Sequence, residues 1–169
     1  MEVLFENLFT MTKEAAVEIS KVATQRRRFA LLMGVILYIV MPIITFMVFG
    51  FDGVLLVTCA VAIIVFLILR NRMPKKLGAK LYQQQLILNN DETPVMTTAV
   101  FENHMERYLG NGSQLTFYYD RITSAKKTAH LMVLSYEKSV MIPIEVSGFT
   151  KGTPEAFESF LLKKGIKVK

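Results

Sequence analysis

A long apolar segment with a single charged side chain constrains this protein more than any other feature. Residues 29–69 contain only Asp52 as a charged residue. One straight helix of that length, at 1.5 Å per residue, would be about twice as long as a ~30 Å bilayer core. Two glycines around the aspartate, at Gly50 and Gly53, supply turn residues near the middle. The segment is therefore predicted to form a transmembrane hairpin, with helices at 29–49 and 54–69.

Basic residues flank the predicted hairpin on both sides, whereas the turn has none. By the positive-inside rule, this asymmetry predicts that both chain ends lie in the cytoplasm and that the turn lies outside. The flanking residues could contact an anionic inner leaflet, each contributing about 1 kcal/mol near the surface. They could equally act as topology signals alone, and the sequence leaves both hypotheses open. The candidate contacts with lipid head groups are Arg26, Arg27, Arg28, Arg70, Arg72, Lys75, Lys76 and Lys80.

The net charge of +6 is concentrated beside the predicted membrane segment. Residues 70–80 carry five basic side chains and no acid, whereas residues 81–169 carry ten basic and nine acidic side chains. A nucleic-acid-binding domain carries its basic excess on a folded surface. Because the predicted folded part is close to neutral, nucleic acid is not an expected partner.

The predicted cytoplasmic parts lie on both sides of the hairpin. Met1–Phe9 is apolar and aromatic and is predicted to form a strand, followed by a helix that Thr10 or Thr12 caps and that runs to Arg28. Lys75–Leu88 has the pattern of a separate amphipathic helix. The expected divisions are a strand and helix at 1–28, the hairpin at 29–69, a basic helix and linker at 70–93, and a β domain at 94–169.

Period-two alternation and turn residues predict an antiparallel β domain after Pro94. Asn111-Gly112 is a strong hairpin signal, because this dipeptide readily adopts positive φ. A closing helix should begin after Thr153, with Pro154 at its first position. The result is an α+β membrane protein with an antiparallel sheet or a partly open barrel. About six strands are expected, near residues 95–101, 105–109, 115–119, 122–126, 130–136 and 139–144.

No arrangement of residues in the sequence predicts a catalytic site or a metal site. His104 and His130 lack a third ligand at metal spacing, and Ser135 and Ser139 lack the context of a nucleophile elbow. The single cysteine, Cys59, lies within the apolar run and cannot form an intramolecular disulfide. We therefore expect no enzymatic activity, no cofactor and no metal.

Four sets of residues carry a resemblance to a known family. They are Phe101-Glu102-Asn103, Tyr118-Tyr119-Asp120-Arg121-Ile122, Ile142-Pro143, and Gly152-Thr153-Pro154-Glu155-Ala156-Phe157 with Phe160-Leu161. Together with the layout, they resemble the YcxB-like family, which are small bacterial membrane proteins with a two-helix hairpin and a carboxy-terminal domain of about 60 residues. Two departures stand out. This chain has no Trp, although members often carry an aromatic residue, including Trp, at the position of Tyr119. Ile144 follows Pro143 where a basic residue is common.

The resemblance implies a cytoplasmic fold similar to pleckstrin-homology domains, a bent antiparallel sheet closed by a helix. It also implies a bacterial inner membrane location, a hairpin inserted within the domain, and a strand at Met1–Phe9 that joins the sheet. It supplies no activity to transfer.

Two functions remain open at this point. One is a membrane-anchored, non-enzymatic interaction or regulatory module whose sheet edge or helix groove takes an unknown protein partner. The other is a small accessory subunit of a membrane transport or oligomeric complex, self-associating or acting through its helices.

Overall fold

The computed structural model describes residues 2–50, 52–90, 92–137 and 139–169. Within these residues the chain forms helices α1–α4 and strands β1–β8. A short 3-10 turn at Tyr119–Arg121 lies between β4 and β5. The helices are α1 (Lys13–Ala23), α2 (Gln25–Phe49), α3 (Gly53–Leu88) and α4 (Pro154–Lys163). The strands are β1 (Phe5–Thr10), β2 (Val95–Val100), β3 (His104–Leu109), β4 (Gln114–Tyr118), β5 (Ile122–Lys127), β6 (Leu131–Tyr136), β7 (Val140–Glu145) and β8 (Phe149–Lys151).

The described strands form two antiparallel sheets, where one sheet or a partly open barrel was expected. The larger has the order β4-β3-β2-β1-β8 and the smaller β5-β6-β7. Strand β1 pairs with β2 along its whole length, from Phe5 opposite Val100 to Thr10 opposite Val95. Because α1, α2 and α3 lie between these two strands in the chain, all three helices are inserted within the sheet. The coarse prediction of a mixed α+β protein is confirmed.

A buried asparagine joins the two sheets. Asn7 on β1 is fully buried. Its Nδ2 donates to the backbone carbonyl of Glu145 at 2.7 Å, and the backbone N–H of Glu145 donates to its Oδ1 at 3.0 Å. One amide side chain thus bonds both backbone groups of Glu145 where the end of β7 meets β1, and the Glu145 carbonyl also accepts from the Gly148 N–H at 3.1 Å.

The apolar core has two parts. The larger lies among the sheets and α4, where Phe157 and Leu161 are fully buried. Helix α4 has the predicted start, since the Thr153 hydroxyl accepts from the Ala156 N–H at 3.2 Å and Pro154 is the first residue. The smaller part brings α1 onto the sheets, with Ile19 in the same cluster as Leu131.

Helices α2 and α3 form a pair joined at the predicted turn. Helix α2 ends at Phe49, and Gly50 follows with φ +86°. Asp52 caps α3, because its Oδ1 accepts from the N–H groups of Val54 and Leu55. Both helices are long and apolar enough to cross a membrane, and only 6% of each apolar stretch is buried. The coarse prediction of two such helices is confirmed.

Helix α3 differs from the prediction, because it continues without a break to Leu88. The separate helix predicted at Lys75–Leu88 is wrong, because these residues continue α3. Pro74 lies inside the helix, where its missing N–H removes one intrahelical hydrogen bond. Because mostly good helix formers flank Pro74, that loss leaves a tolerated irregularity instead of an end.

Helix α1 also differs, because it ends at Ala23 and not at Arg28. The Ser20 carbonyl accepts from both the Thr24 backbone N–H at 2.9 Å and the Thr24 hydroxyl at 2.6 Å. A threonine hydroxyl that bonds the carbonyl four residues back often bends a helix. Residues 26–28 therefore belong to the first turns of α2.

Candidate functional site

The eight basic residues proposed to contact lipid, here called the basic belt, lie on α2 and α3. Gly34 packs against Phe66, since a Cβ at residue 34 would lie 2.8 Å from the Phe66 ring. Arg28 is six residues before Gly34 and Arg72 six residues after Phe66, so in an antiparallel pair they lie at the same level. The structure thus gathers Arg26, Arg27, Arg28, Arg70 and Arg72 at one end of the apolar pair.

The three lysines of the belt lie further along α3. Lys80 is eight residues beyond Arg72, which is about 12 Å along a helix. Among the described residues, no carboxylate forms an ion pair with any member of the belt. Arg28 and Arg70 are partly buried, and their Nε atoms have no hydrogen-bond partner there. The belt is therefore not neutralised within the described part of the chain.

Beyond the arginines, α1 crosses α3 at close range. A Cβ at Gly78 would lie 2.8 Å from the Cα of Val17 and 2.9 Å from its backbone nitrogen. The Lys13 ammonium lies 5.9 Å from the centre of the Tyr82 ring. This crossing holds the last turns of α3 next to α1, and through α1 next to strand β6.

A cavity of about 400 Å³ lies below this crossing, between α1, α3, β3 and β7. Its walls are mostly apolar, and four residues that line it are large, apolar and exposed: Leu77, Leu88, Leu115 and Val140. The sequence predicted an apolar stripe on α3 but not the cavity, because α1 and the sheet complete it. Buried residues of the wall include Met11, Ile19, Met96, Phe117 and Ile142.

One charged side chain stands among the described residues that line this cavity, and it is Arg107 on β3. Arg107 is 4% exposed. Its Nε donates to the Thr98 hydroxyl at 3.1 Å, and its Nη2 donates to the Pro143 carbonyl at 2.5 Å. Burial lowers the pKa of Arg107 to about 10. Because that pKa lies far above neutral, the guanidinium stays charged in the cavity wall.

A second polar group in the wall is without a partner. Ser20 on α1 is 1% exposed, and its Oγ forms no hydrogen bond with a described residue. Buried hydroxyls are normally hydrogen-bonded. The cavity therefore contains two buried polar side chains with unused hydrogen-bonding capacity, Arg107 and Ser20.

Sequence analysis did not identify Arg107, although a signal was present. In β3 the side chains alternate, so Arg107 shares a face with buried Met105 while Glu106 and Tyr108 share the other. A basic residue on the apolar face of a strand was that signal. It indicates a buried charge only when another layer covers the face, and here Pro143 on β7 lies against Arg107 while α1 and α3 form other walls of the cavity.

The residues considered for chemistry are not brought together. His104 Nε2 lies 3.3 Å from Glu106 Oε1, and His130 Nδ1 lies 3.1 Å from Glu18 Oε1. Within the described ranges, no group of three metal-ligating side chains was found.

Tyr119 is buried, and its hydroxyl is within 2.7 and 3.0 Å of the carbonyls of Phe101 and His104. Burial and the nearby Glu102 carboxylate raise its pKa. Its contacts hold a turn together.

Comparisons of the sequence with protein-family models and with curated proteins, and of the fold with solved structures, gave no match. The basic belt and the cavity are therefore interpreted from their own geometry. The interpretation of the basic belt depends on helix length and charge. The interpretation of the cavity depends on the buried polar groups in its apolar wall.

Proposed function

We propose that this chain is a membrane-anchored, non-enzymatic cytoplasmic module that binds or regulates a protein partner. The observation that carries the proposal is the insertion of both long apolar helices between paired strands β1 and β2. A hairpin inserted in this way fixes the domain to the membrane at two points. With a single flexible linker, the distance between the domain and the membrane would vary.

The length of α3 supports a fixed position beside the bilayer. Its 36 residues span about 54 Å, whereas a bilayer core is ~30 Å thick. About 16 residues therefore extend past the core as a continuous helix, and α1 packs against that extension at Gly78. The arginines of the belt lie where the apolar stretch ends, which is the level of the head groups.

The order of the elements supports the proposed resemblance to YcxB-like proteins and a fold similar to pleckstrin-homology domains. Strands β1–β4 lie in one sheet and β5–β7 in the other, and the short β8, which pairs with β1 in the first sheet, precedes α4. In this arrangement the carboxy-terminal helix packs Phe157 and Leu161 into the core between the sheets. The proposal extends to a bacterial inner membrane with both chain ends in the cytoplasm.

The outer strand β4 offers a place for a protein partner. It is the last strand of the larger sheet, and Gln114, Leu115 and Thr116 on it are exposed. An exposed edge strand can pair with an extended segment of another protein through backbone hydrogen bonds. This edge is the surface on which we propose that a partner binds.

Cysteine accessibility tests the membrane placement. In a Cys59→Ser background, Gly53→Cys lies beside the turn and Ser139→Cys lies in the β domain, where Ser139 is exposed. A membrane-impermeant maleimide should label the first variant in intact cells and the second only after lysis. Labelling of Ser139→Cys in intact cells would contradict the proposed orientation.

Photo-crosslinking in native membranes tests the partner surface. A crosslinker at Thr116 on β4 should capture one specific protein, whereas one at the exposed Ser159 on α4 should not. Adducts formed only from the apolar helices, for example from exposed Met47, would favour the alternative, a subunit that acts through its helices in a complex.

A further inference from the structure

The cavity between α1, α3 and the two sheets combines an apolar wall with one uncompensated charge. Arg107 is 4% exposed, and no carboxylate among the described residues pairs with it. Buried charges in proteins are normally paired with an opposite charge. The geometry therefore calls for a negative group inside the cavity.

The hydrogen bonds of Arg107 indicate where that group would lie. A guanidinium has five N–H donors. The Nε donor and one Nη2 donor are used by Thr98 and Pro143, and Nη1 has no partner among the described residues. The Nη1 donors and the second Nη2 donor remain. One N–H of Nη1 and one N–H of Nη2 lie side by side at the end of the guanidinium. A carboxylate can accept both in a bidentate pair.

The rest of the cavity indicates what the negative group is attached to. The wall is built mainly from Met, Leu, Ile, Val and Phe side chains, and the exposed rim combines apolar residues such as Leu115 and Val140 with polar Asn111 and Ser139. A peptide in this space would bring backbone N–H and C=O groups that need partners, and an acyl chain brings none. The volume of about 400 Å³ lies near the lower end of the roughly 300–1,000 Å³ range of ligand pockets.

We propose that this cavity binds a single-chain amphiphile with a carboxylate head group, of the fatty-acid class. The carboxylate pairs with the free edge of Arg107, and the acyl chain lies against the wall formed by α1 and α3. A carboxylate carries one negative charge and matches the single guanidinium, whereas a phosphate monoester would bury nearly two. The unpartnered Ser20 hydroxyl provides a further donor in the wall.

This inference goes beyond the proposed function and does not require it. The cavity is formed by α1, the last turns of α3 and the sheets. Fatty acids partition into bilayers, so the proposed membrane placement would bring the cavity close to a source of the ligand. Failure of the topology experiment would leave the cavity and its test unchanged.

Carbon-13 NMR of the full chain in phosphatidylcholine nanodiscs tests the proposal, with carboxyl-labelled myristate as the probe. Bound myristate should give a saturable resonance at one equivalent per chain, which is distinct from the signal in empty nanodiscs. Arg107→Met should weaken binding about 10–100-fold, because it removes a charge-assisted hydrogen-bonded pair. The affinity of Arg107→Lys for myristate should lie between those of the wild type and Arg107→Met, since lysine keeps the charge but lacks the planar pair of N–H donors. Tetradecanol, which lacks the carboxylate, should not displace the probe.

A rim variant and a matched control away from the cavity keep the test decisive if Arg107→Met fails to fold. Leu115→Glu places a negative charge at the exposed rim and should weaken binding at least tenfold. Leu162→Glu makes the same change at an exposed position of α4 that does not line the cavity, and should bind as the wild type does. Unchanged binding by Leu115→Glu, or displacement by tetradecanol, would overturn the proposal. So would saturable binding of an apolar peptide in place of myristate.

Discussion

The crossing of α1 and α3 at Gly78 gives the sharpest test of how the helices hold the β domain. In a free helix, Gly78→Ala would stabilise by about 1 kcal/mol, because alanine is the better helix former. Here the new Cβ would lie 2.8 Å from the Cα and Cγ2 of Val17. Ordinary contacts between carbon atoms are about 3.5–4.0 Å, so the two helices would have to separate by about 1 Å.

Rotation of a side chain cannot relieve this contact, because two of the nearest Val17 atoms belong to the backbone. Helix α1 cannot move freely either, since Ala16 and Ile19 are buried in the same cluster as Leu131 and Val133. Overpacking of this kind costs about 1–3 kcal/mol. After the gain in helix propensity is subtracted, we expect a net loss of roughly 1 kcal/mol, which is a fall in Tm of about 2–4 °C.

Thermal unfolding of the full chain in detergent micelles measures this change. The chain has six tyrosines and no tryptophan, so near-ultraviolet circular dichroism of tyrosine is a suitable signal. Ala79→Leu adds a larger group at the next, exposed position and should change Tm little. A rise of 2–4 °C for Gly78→Ala would refute the close crossing.

Three further changes test other parts of the structure. Asn7→Ala should cost roughly 2 kcal/mol in chemical unfolding, since it leaves the Glu145 N–H without its partner and removes one of the two donors to the Glu145 carbonyl; a loss under 0.5 kcal/mol would contradict the joint between the sheets. Tyr119→Phe should cost about 1 kcal/mol and speed amide exchange in the turn between β2 and β3, whose carbonyls its hydroxyl contacts. Replacing the three lysines of the basic belt with Gln removes about 3 kcal/mol of attraction to an anionic surface, so amide exchange near Lys76 should accelerate in anionic nanodiscs and not in neutral ones. If the wild type and the variant exchange equally in both lipids, these lysines act only as topology signals.

Local signals in the sequence identified the elements that local chemistry determines. Gly50 and Asp52 end one long helix and cap the next, as the turn residues predicted. Thr153 and Pro154 begin α4 where the capping pattern placed it. The Asn111-Gly112 turn joins β3 to β4 in the expected hairpin. In each case the deciding hydrogen bonds or dihedral angles involve residues a few positions apart.

Features that depend on distant parts of the chain were missed. A separate helix was predicted at Lys75–Leu88, but α3 continues through this segment and packs on α1 at Gly78. Strand β8 has only three residues and exists because it pairs with β1. Gly148 permits that approach, since a Cβ there would lie 2.0 Å from the Leu8 carbonyl oxygen. Its partner lies about 140 positions away, so no local pattern could reveal it.

The same dependence on distant contacts links the candidate site to the helices. Arg107 is buried against Thr98 and Pro143, in the wall of a cavity that α1 and the end of α3 cover from another side. Separation of α1 from α3 at Gly78 would open that cover and admit water to the guanidinium, which would weaken its pairing with a carboxylate. Gly78→Ala should therefore reduce myristate affinity as well as Tm, although residue 78 does not line the cavity. Ala79→Leu should change neither, and a Gly78→Ala variant with lowered Tm but unchanged affinity would separate the crossing from the site.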